Sequence, residues 1–307
     1  SSTVDGSAVW ETGLGGRSAV ADMDLDGDPD LVTVRYQNSK VYIRDGRTGA
    51  LLDSAVMPFV QGRCSGDQFG GGGPPTIADF DNDGRPEVGV AGRTHYVIWD
   101  FDDGTLSRLW ESDATHDCSS YSTGSSVYDF QGDGWAEVVY ADEQTLFVWG
   151  VPSELTDDDP NNDGPFRLEM KLNEQLASEH ASATLREYPV IVDVDGDGAV
   201  EIVLGSGYYG RQNGPWRGIT ALGATRGDWT SGREVWNQNA YHITNIGDDL
   251  SLPRDPAPHW DKGDPADRTP ECNDGIDNDG DGLLDWLSDP ECAGIADRSE
   301  STRGQNS

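Results

Sequence analysis

Asp79-Phe80-Asp81-Asn82-Asp83-Gly84-Arg85-Pro86-Glu87 places acids at positions 1, 3, 5 and 9 of a nine-residue run, with glycine at position 6. A hard cation that takes six to eight oxygen ligands requires such a set, and the glycine permits the sharp turn between them. Position 7, here Arg85, would add its backbone carbonyl. The pattern recurs as Asp22, Asp24, Asp26 and Asp30 with Asp28 at position 7, and as Asp129, Gln131, Asp133 and Glu137 with Trp135 there. It returns as Asp193, Asp195, Asp197 and Glu201 with Ala199, and as Asp277, Asp279, Asp281 and Asp285 with Leu283. One copy also reads as a polar turn, since Asp and Gly favour turns. Five copies predict about five Ca2+ sites.

These loops are not EF-hands. That motif needs a bidentate Glu at position 12, where this chain has Thr33, Val90, Tyr140, Leu204 and Ser288. The first four loops instead run into β-branched segments such as Leu31-Val32-Thr33-Val34 and Ile202-Val203-Leu204, and each follows a short apolar run. Strand, acidic loop, strand is the predicted unit, so each cation would sit in a β-hairpin.

The first four loops begin 57, 50 and 64 residues apart. Repeats of that order with four strands each predict a β-propeller. In the first unit the strands fall at 18–21, 31–36, 41–44 and 50–57. The second ends with 95–100, a turn at 102–104 and 106–110. The third has 145–149, an acidic insertion at 157–164, then 166–172. The fourth carries an aromatic insertion at 208–216, then 218–223 and a last strand near 233–236. Ala8-Val9-Trp10-Glu11 reads as the outer strand of a further blade completed near residues 235–260. The expected fold is all-β: a propeller of four clear blades, or five closed by the chain ends, over residues 1–260, then a calcium-loop tail over 261–307. A fragment of a larger ring, or a ring completed by another subunit, is the alternative.

Pro74-Pro75-Thr76-Ile77-Ala78-Asp79-Phe80-Asp81 and Tyr188-Pro189-Val190-Ile191-Val192-Asp193-Val194-Asp195 carry a family likeness. The chain resembles the FG-GAP or VCBS-type repeats of bacterial secreted proteins, the blade design of the calcium-binding integrin α propeller, over about residues 7–250. The resemblance implies the fold and the metal loops. It implies little about activity, because the family spans adhesins, lectin-like modules and accessory domains of enzymes. The tail resembles thrombospondin type 3 repeats.

Cys272 and Cys292 bracket the fifth loop and are expected to bridge it. Cys64 and Cys118 lie 15 and 11 residues before loops two and three. They occupy nearly equivalent places in successive repeats and either bridge neighbouring units or remain a reduced pair. Four cysteines without a CxxC pair point to an oxidising compartment rather than to zinc. The chain opens Ser-Ser-Thr without Met or signal peptide, so trimming after export or by design is expected. Millimolar extracellular calcium would fill such loops. The localisation expected is therefore extracellular or cell-surface.

A net charge of −35, from 56 acids against 21 Lys and Arg, makes nucleic acid and anionic membrane poor partners. No apolar run is long enough to cross a membrane. The five histidines form no ligand or catalytic pairing. The carboxylate pairs are already explained as metal ligands, so no enzyme is expected. A polysaccharide lyase on a calcium-rich propeller, with Arg233, His180, Tyr241 or His242 as base, is the minor alternative. Tyr208, Tyr209, Trp216 and Trp229 fall in Gly- and Asn-bearing loops and are the candidate rim for a glycan or surface-protein partner. Two main readings result: a calcium-stabilised recognition or adhesion module, and a self-assembling subunit of a surface layer or filament.

Overall fold

The computed structural model describes residues 8–13, 15–65, 69–81, 83–112, 115–130, 137–150, 182, 184, 188–206, 218–224, 229–232, 234–237 and 250. Among these residues, fourteen strands form four antiparallel sheets. The first holds β1 (Arg17–Ala21), β2 (Asp30–Arg35), β3 (Lys40–Arg44) and β4 (Leu51–Val56) in sequential order. The second holds β5 (Thr76–Ala78), β6 (Glu87–Ala91), β7 (Tyr96–Asp102) and β8 (Thr105–Glu111), also sequential. The third holds β9 (Ser125–Tyr128), β10 (Glu137–Ala141) and β11 (Leu146–Trp149). The fourth holds β12 (Val190–Val192), β13 (Glu201–Ser206) and β14 (Gly218–Leu222). No α-helix occurs among the described residues; a 3-10 turn at Tyr36–Asn38 is the one helical element they contain.

Each meander follows from local chemistry. The second strand of a sheet is flanked on both sides, and β6 and β10 are buried at every residue, as the apolar runs that follow Glu87 and Glu137 require. The β7–β8 turn uses Asp103 and Gly104, both at positive φ (47° and 74°), the conformation that matches the twist of a two-residue hairpin. In register, Ala21 pairs with Asp30 and Ala78 with Glu87, so each acidic loop is the connection of a hairpin.

The sheets stack in series. β1 lies against β5, β5 against β9, and β9 against β12. One apolar core fills the space between the first and second sheets (Met23, Val32, Ile43, Val88, Trp99), and a second lies between the second and third (Phe80, Tyr96, Ile98, Tyr140). A third joins the last two (Phe130, Val139, Leu146, Ile202). Position 2 of the first three acidic loops supplies a plug to these cores: Met23, Phe80 and Phe130 are fully buried. Val194, the equivalent residue of the fourth loop, is 56% exposed, because no fifth sheet stands against it among the described residues.

Two expected strands do not form. Residues 8–13 are not extended into a sheet. Instead Trp10 donates Nε1–H to Gly46 O at 2.8 Å, and its ring occupies the space a side chain at Gly49 would need. A bulky ring docked on a turn outweighs the ladder that the alternation of Val9 and Trp10 suggested. Residues 234–237 likewise lack strand pairing. Trp236 packs against Tyr188, with ring centroids 6.3 Å apart, and a single bridge joins Ala199 to Ser231. Pairing of the chain ends, the insertion at 157–164, the strand at 166–172, the tail and the Cys272–Cys292 bridge lie outside the described residues.

Candidate metal centres

Three groups of acids have ligand atoms within 4.8 Å of one another: Asp22, Asp24 and Asp30; Asp79, Asp81 and Glu87; Asp193, Asp195 and Asp197. Each could hold a metal ion. The first two use positions 1, 3 and 9 of the pattern, and the fourth loop uses 1, 3 and 5. Asp26, Asp83 and Glu201 complete the expected acids beside these groups, and Asp28, Arg85 and Ala199 occupy position 7. In the third loop Gln131, Asp133 and Trp135 lie outside the described residues. So do Asp277, Asp279, Asp281, Leu283 and Asp285 of the fifth.

A shared hydrogen-bond scheme builds the loops. Position 1 accepts the backbone N–H of position 6: Gly27 to Asp22 at 2.9 Å, Gly84 to Asp79 at 3.1 Å and Gly198 to Asp193 at 3.0 Å. Position 3 accepts from position 5, and position 5 from position 7, as Arg85 N–H does to Asp83 at 2.8 Å. The glycine at position 6 has φ of 92°, 87° and 98° in the three loops, where a side chain would be strained. Position 9 reaches back across the loop to the N–H of position 2: Asp30 to Met23 at 3.1 Å and Glu87 to Phe80 at 2.6 Å. Glu137 does the same with Phe130 at 2.8 Å and Glu201 with Val194 at 2.9 Å. The third loop thus shares the closing bond of the other three.

These bonds leave the inward oxygens facing each other. Glu87 is fully buried, and its Oε1 has no hydrogen-bond partner among the described residues. Burial, with Asp81 and Asp79 close by, pushes Glu87 up to about 9. Burial raises Asp30 to about 6, reinforced by Asp24 and Asp22, and raises Asp81 to about 6, reinforced by Asp83. Glu201 is raised for the same first reason. An unpaired buried oxygen amid like charges is costly unless a cation neutralises it. The donor set therefore fits a hard divalent ion.

Each of the first four acidic loops joins the end of a sheet's first strand to the start of its second. The connections between sheets, 57–75 and 112–124, therefore leave from the opposite end. Cys64 and Cys118 sit in these two connections and form a disulfide, with Cα atoms 5.3 Å apart. Beside it the fully buried Asp117 accepts from the N–H of Tyr121, Ser122 and Thr123 at 3.0–3.2 Å and from the hydroxyls of Ser120, Thr123 and Thr184 at 2.5–2.9 Å. His116 pairs through Nδ1 with Glu143 at 3.0 Å and points Nε2 at Cys118 Sγ, 3.4 Å away. Sequence reading passed over Asp117, which has no repeat counterpart to mark it. It also passed over the position 2 plugs, which were visible as a large apolar residue, Met23, Phe80 or Phe130, inside each of the first three acidic runs.

Of the candidate rim, Trp229 is half-buried and packs its ring on Phe130, 4.8 Å between centroids, as part of the last core. Tyr208, Tyr209 and Trp216 lie outside the described residues, as do Arg233, His180, Tyr241 and His242.

Two overlapping stretches, residues 22–90 and 79–140, match the FG-GAP-like repeat. No curated protein matches the chain. Among solved structures, the biofilm matrix protein Bap1 of V. cholerae is similar over 82% of this chain and 64% of its own, at 14% identity and a TM-score of 0.57. The chain thus spans less than two thirds of that protein's length, and the likeness is one of fold. The C-terminal domain of Pseudomonas aeruginosa PilY1 (19% identity, 64% of this chain, 44% of that, TM-score 0.41) is more remote. So is a rhamnogalacturonan lyase of Bacillus licheniformis (19%, 71% and 39%, TM-score 0.39). The described part of the molecule is all-β, its residues 22–140 match FG-GAP-like repeats, and it carries acidic groups that could hold metal. No helix among the described residues is long and apolar enough to cross a membrane.

Proposed function

We propose that this chain is a calcium-stabilised recognition or adhesion module that works outside the cell, built on a propeller of FG-GAP-like blades. The observation that carries the reading is the division of labour between the two ends of the sheets. At one end, repeated acidic loops gather carboxylates that could hold cations. At the other, long connections between sheets are tied by a disulfide, and this end is read as the one that meets a partner. Serial stacking of the first strands β1, β5, β9 and β12 supports the propeller, and the fold likeness to a biofilm matrix protein supports a matrix or adhesive role.

Calcium, when bound, would supply charge neutralisation and cross-bracing of each hairpin. Asp22, Asp24 and Asp30, Asp79, Asp81 and Glu87, and Asp193, Asp195 and Asp197 would hold it. The third and fifth loops are proposed as further sites, the third weaker because Gln131 replaces an acid. A disulfide-bonded chain facing millimolar calcium fits an extracellular setting. The module is read as non-enzymatic, with a glycan or surface protein as partner.

A self-assembling surface subunit is the second reading, favoured by the apolar surface at the fourth sheet, where Ile219 of β14 is 82% exposed. Glycan and matrix-protein arrays probed with calcium-loaded protein, beside sedimentation with and without chelator, separate the two. A monomer that retains an array ligand, and loses it on replacing Tyr208, Tyr209 and Trp216 by Ala, supports recognition through the expected rim. Empty arrays with a high-order assembly that chelator dissolves overturn recognition in favour of assembly.

A further inference from the structure

We propose that the end of the array opposite the acidic loops carries a site for a carboxylate-bearing sugar, formed by Arg17, Tyr36, Tyr121 and Ser122. The inference rests on the recognition reading above and names both a place and a ligand class for it.

Topology brings these residues together. Arg17 opens β1, Tyr36 follows β2, and Tyr121 and Ser122 end the connection that leads into β9. All three points lie at the end away from the metal loops. The Arg17 guanidinium donates to Ser122 Oγ at 3.1 Å and stands 5.9 Å from the centroid of the Tyr36 ring. Tyr36 and Tyr121 are 5.8 Å apart and tilted by 42°, and Phe69 supports Tyr121 from the side at 4.9 Å. The platform is rigid. Gly72 N–H bonds Tyr121 O at 2.9 Å, and the Asp117 carboxylate holds the N–H groups of both Tyr121 and Ser122.

Two features set the cluster apart from ordinary packing. The first is charge. Arg47, Arg85 and Arg108 each pair with an acid, whereas Arg44 donates to Gly49 O within its own sheet and Arg17 reaches across to a different connection. Arg17, only half-buried, has no carboxylate within ion-pair distance among the described residues, and its contacts are a hydroxyl and a carbonyl. Its charge is therefore available, and a guanidinium fork is the group that takes a carboxylate in two parallel hydrogen bonds. The second is strain. Tyr121 has φ of 49°, a left-handed conformation that is strained for a tyrosine and that clusters at binding sites. Arg93 already lies over the Tyr121 ring at 5.3 Å, so the half-exposed Tyr36 beside the Arg17 guanidinium is the surface that matches a uronate ring, which offers an apolar C–H face and a carboxylate on one edge. A bare anion would use the fork and leave the tyrosines idle.

The test is calorimetric titration of the calcium-loaded full chain, at fixed free calcium, with a glucuronate-containing oligosaccharide. Its carboxyl-reduced form and a sulfated neutral oligosaccharide run beside it. One uronate site per chain is expected, with the reduced form roughly tenfold weaker or worse, the loss of a charge-assisted pair. Arg17→Gln should weaken uronate binding by a similar factor while leaving the melting temperature within about 2 °C. Tyr36→Leu, which keeps the packing volume, should weaken the charged and the reduced sugar alike. Equal affinity for the reduced form, or an Arg17→Gln protein that binds normally and melts lower, would make Arg17 a strap between sheets and overturn the proposal. Tighter binding of the sulfated sugar would overturn the ligand class. Failure of all three sugars while the arrays still find a partner would sink this site and leave the recognition reading standing.

Discussion

Replacing Glu87 by Gln separates the cost of a buried acid from its use as a ligand. Glu87 is fully buried, one oxygen accepts Phe80 N–H at 2.6 Å, and the other has no hydrogen-bond partner among the described residues. With its titration raised from 4.5 to about 9, the metal-free fold keeps this group protonated at pH 7. The unfolded chain does not, and the difference costs the fold on the order of 3 kcal/mol at that pH. Between pH 4.5 and about 9 the folded state binds the extra proton, so the stability of chelated protein should fall as pH rises through that window. Gln keeps the volume and does not titrate, and its amide has the Asp79 and Asp81 oxygens as acceptors within 4.8 Å. In chelator at pH 7 the variant should melt higher by several degrees, at roughly 2–4 °C per kcal/mol for a domain of this size. In millimolar calcium the order should reverse, because the cation has lost a charged ligand. Scanning calorimetry of parent and variant, with calcium and with chelator, at pH 6 and pH 8, reads both effects. A variant that melts lower in chelator and keeps the full calcium-induced rise would refute the reasoning and make Glu87 an ordinary hydrogen-bonded core acid.

Reducing the Cys64–Cys118 bridge, or Cys118→Ser, opens a loop of 54 residues' separation; chain-entropy estimates put its contribution at about 4 kcal/mol. The calcium-loaded protein should remain folded but lose about one molar or more in its urea midpoint, and an unchanged midpoint would show that the two connections are held by other contacts. Gly73→Ala should be more damaging than its size suggests, because the added carbon would meet Thr123 O at 2.0 Å. Overpacking against backbone costs about 3 kcal/mol, so a midpoint equal to the parent's would mean that the two connections do not approach as described.

The acidic loops were legible because a ligand set is a spacing code: acids at 1, 3, 5 and 9 with glycine at 6 have few other uses, and repetition removes the rest. The strands beside them were legible because Val88-Gly89-Val90 is buried on both faces and Ile202-Val203-Leu204 is an unbroken apolar run with Ile202 and Leu204 buried. Cys64 and Cys118 could be matched by their offsets from successive loops. The misreadings share a cause. Trp10 and Trp236 sit in segments with the composition of edge strands, but each ring finds a pocket, over Gly49 and against Tyr188, and long-range packing overrides the local alternation. Trp229 had a loop's composition yet packs on Phe130, a partner about a hundred residues away in sequence, which no local pattern announces. The Asp117 hub combines neighbours at 120–123 with Thr184, and only the fold supplies the latter. Arg17 and Tyr121 went unread because their meaning lies in three chain segments meeting at one end of the array.

The most direct test of the account is the number of calcium ions that metal-stripped protein binds. Equilibrium dialysis against radioactive calcium, with magnesium in excess, should give at least three saturable ions per chain, one for each acidic group, and up to five if the third and fifth loops also fill. Melting temperature should rise in step with occupancy. One ion or fewer per chain, or a stripped protein whose melting is unchanged by calcium, would contradict the claim that these loops are metal centres.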